Sequence, residues 1–165
     1  MKPLLRTERL VLSRLTKSDF NDVKKLYMDQ EVRKYLGGVI EERVLLAAGE
    51  ALLLEEGSHF WIVKEKESEE FIGMVSITNH HDGEWKEISY QLLPEWWGLG
   101  YGTECVNAII KYAFEELKLP RVIAETQTAN TASCRLLEKV GMQREKTLIR
   151  FNAEQAIYYR PAGES

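Results

Sequence analysis

The chain predicts an α/β (α+β) fold: a mixed, mostly antiparallel twisted sheet of about seven strands, flanked by helices and containing one splayed parallel pair. Three observations predict it. Strand-like and helix-like periodicities alternate along 165 residues, a length suited to one domain with one sizeable core. Several strand-like runs follow one another with no helix between them, which implies antiparallel pairing. A single strand–helix–strand step, over residues 87 to 126, implies a parallel pair whose carboxyl ends open a crevice.

The elements follow in order. A first strand covers about Arg9 to Leu15, and Thr16, Ser18 or Asp19 can cap a helix running to about Met28. Residues Glu41 to Glu56 form a second helical region, with Val44, Leu45, Ala48 and Leu52 on one side. Phe60 to Val63 and Phe71 to Ile77 read as strands joined by the charged turn Lys64 to Glu70. Glu87 to Leu93 mixes β-branched, aromatic and apolar residues and is stopped by Pro94. Beyond a glycine turn, Cys105, Val106, Ile109, Ile110, Ala113, Phe114 and Leu117 recur at helical spacing, with Asn107, Lys111, Glu115 and Lys118 largely opposite. Arg121 to Thr126 is a strand, about Thr131 to Val140 a helix, and Arg144 to Phe151 and Gln155 to Tyr159 the last two strands. One domain is expected over residues 1–160, with a loose tail from Pro161 to Ser165.

Composition narrows the function classes. Acidic residues outnumber basic ones by 26 to 22 and no Lys/Arg block stands out, which argues against a nucleic-acid-binding module. The two cysteines, Cys105 and Cys134, fall inside predicted helices and read as free thiols of a reducing compartment. With no signal peptide and no membrane span in the pattern, a cytoplasmic protein is expected.

Trp97-Gly98-Leu99-Gly100-Tyr101-Gly102-Thr103-Glu104 places three glycines at alternate positions between a strand and a long amphipathic helix. Free amides at a helix start, with the positive end of its dipole, make an anion cradle of such a turn. Spacing separates the candidates. A dinucleotide loop needs G-x-G-x-x-G, but the last position counted from Gly98 is Thr103, and a P-loop needs a Lys that is absent. The remaining pattern is Gln/Arg-x-x-Gly-x-Gly/Ala, with Trp97, Gly100 and Gly102 at its first, fourth and sixth positions.

In that pattern the chain resembles the GNAT superfamily of acyl-CoA-dependent N-acyltransferases, whose loop holds the pyrophosphate of coenzyme A. Arg6-Thr7-Glu8-Arg9-Leu10-Val11-Leu12 and Asp19 are similar to the opening of its RimJ/RimL-like branch, where Trp commonly takes the first loop position. Asn130-Thr131-Ala132-Ser133 and Leu137-Glu138-Lys139-Val140-Gly141-Met142 resemble its Asn-x-x-Ser segment and Lys-x-Gly-Phe ending, with Met142 where Phe is commoner. The match runs from about Arg6 to Tyr159.

The resemblance implies a GNAT-like sheet and acetyl-CoA as acyl donor, with no metal. Its pyrophosphate would sit on the backbone from Trp97 through Gly98, Leu99, Gly100, Tyr101 and Gly102 to Thr103. Its pantetheine arm would pair with the strand edge at Leu92 or Leu93, and Asn130 and Ser133 would add polar contacts. Transfer to an amine needs a base, a polarised thioester and a protonated leaving thiol. Glu87, opening the Glu-Ile-x-Tyr run, is the base the resemblance implies, and the alternative is a solvated strand start beside Lys86. Glu87→Gln is then expected to lower turnover most at low pH. A strand amide at Gln91 or Leu92 would face the oxyanion. For the general acid, the Tyr of many members is replaced by Leu137, which leaves Ser133, whose other reading is a first-turn residue satisfying helix amides. The acceptor implied is a protein N-terminus or a small amine such as a polyamine, metabolite or drug, with the protein a monomer or homodimer. A catalytically silent acyl-CoA sensor is the alternative that the absent Tyr leaves open.

Other residues carry plainer readings. His80-His81-Asp82 lacks further ligands at metal spacing and reads as an exposed turn. Cys134 has no His partner set and reads as a buried thiol. Trp61, Trp85 and Trp96 read as core, and Glu41, Glu42, Glu50, Glu55 and Glu56 as the wet side of a helix.

Overall fold

The computed structural model describes residues 4–163, except for the side chain of Leu52, for which the sequence predicts a place on one side of the second helix. The chain runs β1 (Leu5–Arg6), β2 (Leu10–Arg14), α1 (Phe20–Tyr27), α2 (Gln30–Arg33), α3 (Glu42–Leu54), β3 (His59–Glu65) and β4 (Phe71–Asn79). There follow β5 (Lys86–Leu92), α4 (Tyr101–Glu115), β6 (Arg121–Gln127), α5 (Thr131–Lys139), β7 (Gln143–Arg150) and β8 (Ala153–Pro161). The strands form one sheet in the order β1-β2-β3-β4-β5-β6-β8-β7. Neighbours are antiparallel except β5 and β6, which run parallel and are paired at Glu87↔Ile123.

The architecture is the predicted one with eight strands in place of about seven. The additional strand, β1, has two residues, too few to show any period. The same holds for α2, a four-residue turn whose first amides are capped by Asp29, which accepts from the Val32 N–H at 2.9 Å. The β7–β8 hairpin turns on Phe151 and Asn152, both at positive φ (55° and 61°), the backbone that a two-residue hairpin of right-handed twist requires. Pro161 closes β8, and the Ala162 N–H donates to the Pro120 carbonyl, whereas Glu164 and Ser165 of the expected tail lie outside the described residues.

Two apolar layers hold the sheet. On one face α4 and α5 bury Cys105, Val106, Ile109, Ile110 and Leu137 against Ile88, Leu92, Ala124 and Tyr158. On the other, Phe20, Val23 and Leu26 of α1 and Leu45 of α3 pack on Ile62 and Met74. Each fully buried Leu or Ile contributes about 1.5–3 kcal/mol. Both cysteines are buried free thiols, and burial pushes that of Cys105 up to about 12. Strand alternation then decides what β5 offers each layer. Ile88, Tyr90 and Leu92 point towards α4 and α5, so Glu87, Ser89 and Gln91 belong to the opposite face.

Gly73 sets how closely β4 and β5 approach. A Cβ there would stand 2.1 Å from the Gln91 carbonyl oxygen and 2.9 Å from the Leu92 Cα, both backbone atoms that no rotamer change can move. Gly73→Ala is expected to destabilise the fold by on the order of 3 kcal/mol in urea denaturation, at the upper end of overpacking costs. A loss under about 1 kcal/mol would show that the two strands part readily there.

Candidate active site

Past Glu87↔Ile123 the parallel strands separate, and the two helices that follow them, α4 and α5, begin on either side of the opening. Gly100 is the N-cap of α4 and adopts the left-handed conformation (φ 84°), which glycine enters without steric cost. The helix ladder starts with the Glu104 N–H donating to the Gly100 carbonyl at 3.1 Å. The amides of Tyr101, Gly102 and Thr103 therefore have no partner within the helix and carry its positive end. Gly102 serves packing, because a Cβ there would come within 2.7 Å of Leu136 Cδ1 on α5.

Arg9, from the turn before β2, clasps this loop. Its Nε donates to Glu104 Oε1 at 2.8 Å, its Nη1 to the Leu99 carbonyl at 3.0 Å, and its guanidinium lies 4.0 Å over the Tyr101 ring. Glu104 also accepts from the Arg9 backbone N–H and from the Thr7 hydroxyl, and this set of donors holds its carboxyl below the usual range despite burial. The Tyr101 hydroxyl donates to Glu65 Oε2 at 2.7 Å. Sequence reasoning used Arg9 only as part of a resemblance and missed this contact.

The free edge of β5 can be assigned residue by residue. The Leu93 N–H donates to the Ile72 carbonyl at 2.9 Å, so of the two positions considered for the pantetheine arm, Leu93 is already committed to β4. The Gln91 carbonyl also faces β4, at Gly73. Peptide groups alternate along an antiparallel strand, so Gln91 presents its backbone to β4, while Leu92 and Tyr90 turn theirs to the crevice. The Trp97 indole N–H donates to the Leu92 carbonyl at 2.8 Å, tying the glycine loop to the strand end. The Gln91 side chain accepts from Arg33 Nη1 at 3.3 Å on the opposite face.

On the helical side, the Tyr90 and Ser133 hydroxyls are 2.6 Å apart. Asn130 is the N-cap of α5, its side-chain oxygen accepting from the Ser133 N–H at 3.2 Å. Asn130 thus performs the capping task, and the Ser133 hydroxyl is engaged with Tyr90. Burial pushes the Tyr90 phenol up to about 12, so it remains protonated at neutral pH. Leu137, where a phenol was sought, is 1% exposed in the core.

On the other face Glu87 is largely buried. Burial, and secondarily the neighbouring Glu125 carboxylate, push it up to about 7, against lowering by His80, Arg150 and the Glu125 main-chain N–H. The strand start at Glu87 is thus partly withdrawn from solvent. His80 corrects a second expectation. It is 3% exposed, not an exposed turn residue, and its Nε2 lies 2.7 Å from Glu125 Oε1. The turn reverses the chain through the exposed His81 to Glu84, while His80 itself is packed beneath it. Among the described residues, no group of three or more His, Cys, Asp or Glu side chains could hold a metal.

The cradle fits a coenzyme A pyrophosphate: unpaired helix-start amides at Tyr101 to Thr103, a φ that demands glycine at Gly100, and an arginine beside the loop. Comparison with known proteins identifies the family. Residues 9–143 match the family model described as an acetyltransferase (GNAT) domain. The chain is 30% identical over 167 residues to the uncharacterized N-acetyltransferase YoaA of Bacillus subtilis (strain 168), covering 96% of this chain and 93% of that protein. An acetyltransferase (GNAT family) from Bacillus anthracis superposes with a TM-score of 0.86 at 26% identity, over 98% of this chain and 100% of that one. A spermidine N-acetyltransferase from Vibrio cholerae, solved with CoA and spermine, shares the fold at a TM-score of 0.83 and 17% identity, over 94% and 96% of the two chains.

Proposed function

From the premise that the chain belongs to the GNAT acetyltransferase family, and so is an acyl-CoA-dependent acetyltransferase, we propose that it passes an acetyl group from acetyl-CoA directly to a primary amine. The observation that carries this reading is the crevice, where the start of α4, the Leu92 edge and the Tyr90–Ser133 pair converge past a single parallel pairing.

Acetyl-CoA supplies an activated thioester; the chain supplies the rest. The amides of Tyr101, Gly102 and Thr103, with the loop from Trp97, would hold the pyrophosphate, and Leu92, whose carbonyl is taken by the Trp97 indole, would offer its N–H to the pantetheine arm. The N–H of Leu92 or Tyr90 faces the thioester oxygen as charge develops on it. Glu87 lies three to five residues before these amides, roughly 10–16 Å at 3.3 Å per residue, so it takes the amine proton through water. Ser133 donates towards the leaving sulfur, with Tyr90 behind it keeping its hydroxyl oriented. A silent acyl-CoA sensor rested on the missing phenol in α5, and Tyr90 brings a phenol to Ser133 from β5 instead.

The acceptor proposed is a protein N-terminus, as the RimJ/RimL-like segments imply, or a small amine such as a polyamine. The spermidine N-acetyltransferase among the fold neighbours is consistent with the second. We place the enzyme in the cytoplasm, as one catalytic domain over residues 1–160, monomeric or homodimeric; its buried free thiols suit a reducing compartment. The test is thiol release from acetyl-CoA against N-terminal peptides, polyamines and aminoglycosides. Release with one class identifies the acceptor, and none with any amine overturns the proposal.

Ser133→Ala is expected to lower kcat about tenfold, less than the usual general-acid effect because a thiolate leaves readily, with KM for acetyl-CoA within about twofold. Tyr90→Phe should lower kcat similarly and add nothing to Ser133→Ala, since both act through one hydroxyl. Additive losses in that double-mutant cycle would mean that the two hydroxyls act separately.

A further inference from the structure

Glu87 and Glu125 sit on the same face of adjacent parallel strands, Glu125 two residues beyond the pairing partner of Glu87. The two carboxylates have opposite surroundings. Glu125, 5% exposed, has both oxygens occupied: Oε1 by His80 Nε2 at 2.7 Å, and Oε2 by Arg150 Nε at 3.0 Å. Arg150 is steadied in turn by Asp82, 3.6 Å from its Nη2. Glu87 forms no ion pair among the described residues, and the nearby main-chain N–H of Glu125 favours its ionised form. Its other cationic neighbour in sequence, Lys86, is drawn away to the Gly57 carbonyl and Asn79 Oδ1, both at 2.8 Å. The charged groups facing Glu87 are therefore His80 after β4, Glu125 on β6 and Arg150 on β7, with Asp82 behind Arg150.

We propose that Glu125, clamped by His80 and Arg150, is a positioning residue for Glu87: held on the same face of the adjacent strand, it fixes the surroundings in which the Glu87 carboxylate works. The inference rests on Glu87 as the base. Both oxygens of Glu125 are engaged by His80 and Arg150, whereas Glu87 has no ion-pair partner and burial pushes it up to about 7, so environment divides two like groups. Glu125 and Arg150 both act on the Glu87 carboxylate, so changing the clamp changes Glu87.

The experiment is a carbon-13 NMR titration of glutamate side chains in the full chain, with Glu87 identified as the resonance lost in Glu87→Gln. Glu125→Gln removes the like charge and leaves Arg150 acting on Glu87 alone, so the midpoint is expected to fall by about one pH unit. Arg150→Met removes a cation and should raise it by a similar amount. Arg150 lies at the end of β7 with 21% of its side chain exposed, and methionine keeps most of its length, so that variant serves if Glu125→Gln does not fold. A general loosening of the site would move both midpoints the same way. Midpoints that stay put, or move together, overturn the assignment. The pH at half-maximal kcat, read by thiol release with the best amine of the panel, should follow the same two directions. Should Glu87→Gln keep its turnover, the base reading falls and the role of Glu125 in transfer falls with it, whatever the titration shows.

Discussion

Gly100→Glu is expected to abolish acetyl-CoA binding, with no saturable heat in calorimetry up to about 100 times the unaltered dissociation constant, a loss of at least about 2.7 kcal/mol. Three effects act together. A side chain at φ 84° is strained by roughly 1–2 kcal/mol. Its Cβ would stand 3.2 Å from Arg9 Nη2, so the clasp on the Leu99 carbonyl must shift. Its carboxylate would reach the Tyr101 to Thr103 amides and occupy the cradle with the chain's own anion. Gly100→Ala carries the strain without the charge and should weaken binding about tenfold. Unchanged affinity in the glutamate variant would place the phosphates elsewhere.

Glu87→Gln is expected to lower kcat by about 10²–10³ without changing acetyl-CoA affinity. The pH dependence reverses the expectation drawn from sequence. A carboxylate pushed up to about 7 is a working base only above that pH, so the loss is greatest on the alkaline side and shrinks below pH 6. Stability moves the other way. The folded protein binds the Glu87 proton more tightly than the unfolded chain, so stability falls as pH rises from 4.5 through about 7, by on the order of 3 kcal/mol. Glu87→Gln removes that cost, and its Tm should exceed that of the unaltered protein at pH 8 and match it near pH 4. An active variant, or one no more stable at pH 8, removes Glu87 from the base role or from its buried setting respectively.

The order of strands and helices was legible because it rests on local periodicity. Cys105, Val106, Ile109 and Ile110 recur at helical spacing and are all buried in α4. What depended on register was not legible. Whether Leu92 or Leu93 turns its amide to the crevice is decided by the Ile72 carbonyl, some 20 residues upstream, to which Leu93 is bonded. The insertion of β8 between β6 and β7 has no trace in spacing either. The site divides likewise. The glycine loop is contiguous, and its alternation at Gly98, Gly100 and Gly102 was visible. The Tyr90–Ser133 and His80–Glu125 contacts join residues 43 and 45 apart in sequence. His80 looked like a turn because its sequence neighbours are one, and Glu125 looked like a strand residue among apolar ones. Only the sheet brings either against Glu87.

The Arg9–Glu104 clasp has a consequence for how the molecule comes into being. It closes a loop of 95 residues, so the cradle is complete only after one of the most sequence-distant contacts of the fold has formed, a class of contact that entropy makes slow. Until that loop closes the cradle lacks its arginine, so the donor should engage the finished fold and little before it. At 100 times its dissociation constant it then adds about 2.7 kcal/mol to the native state alone.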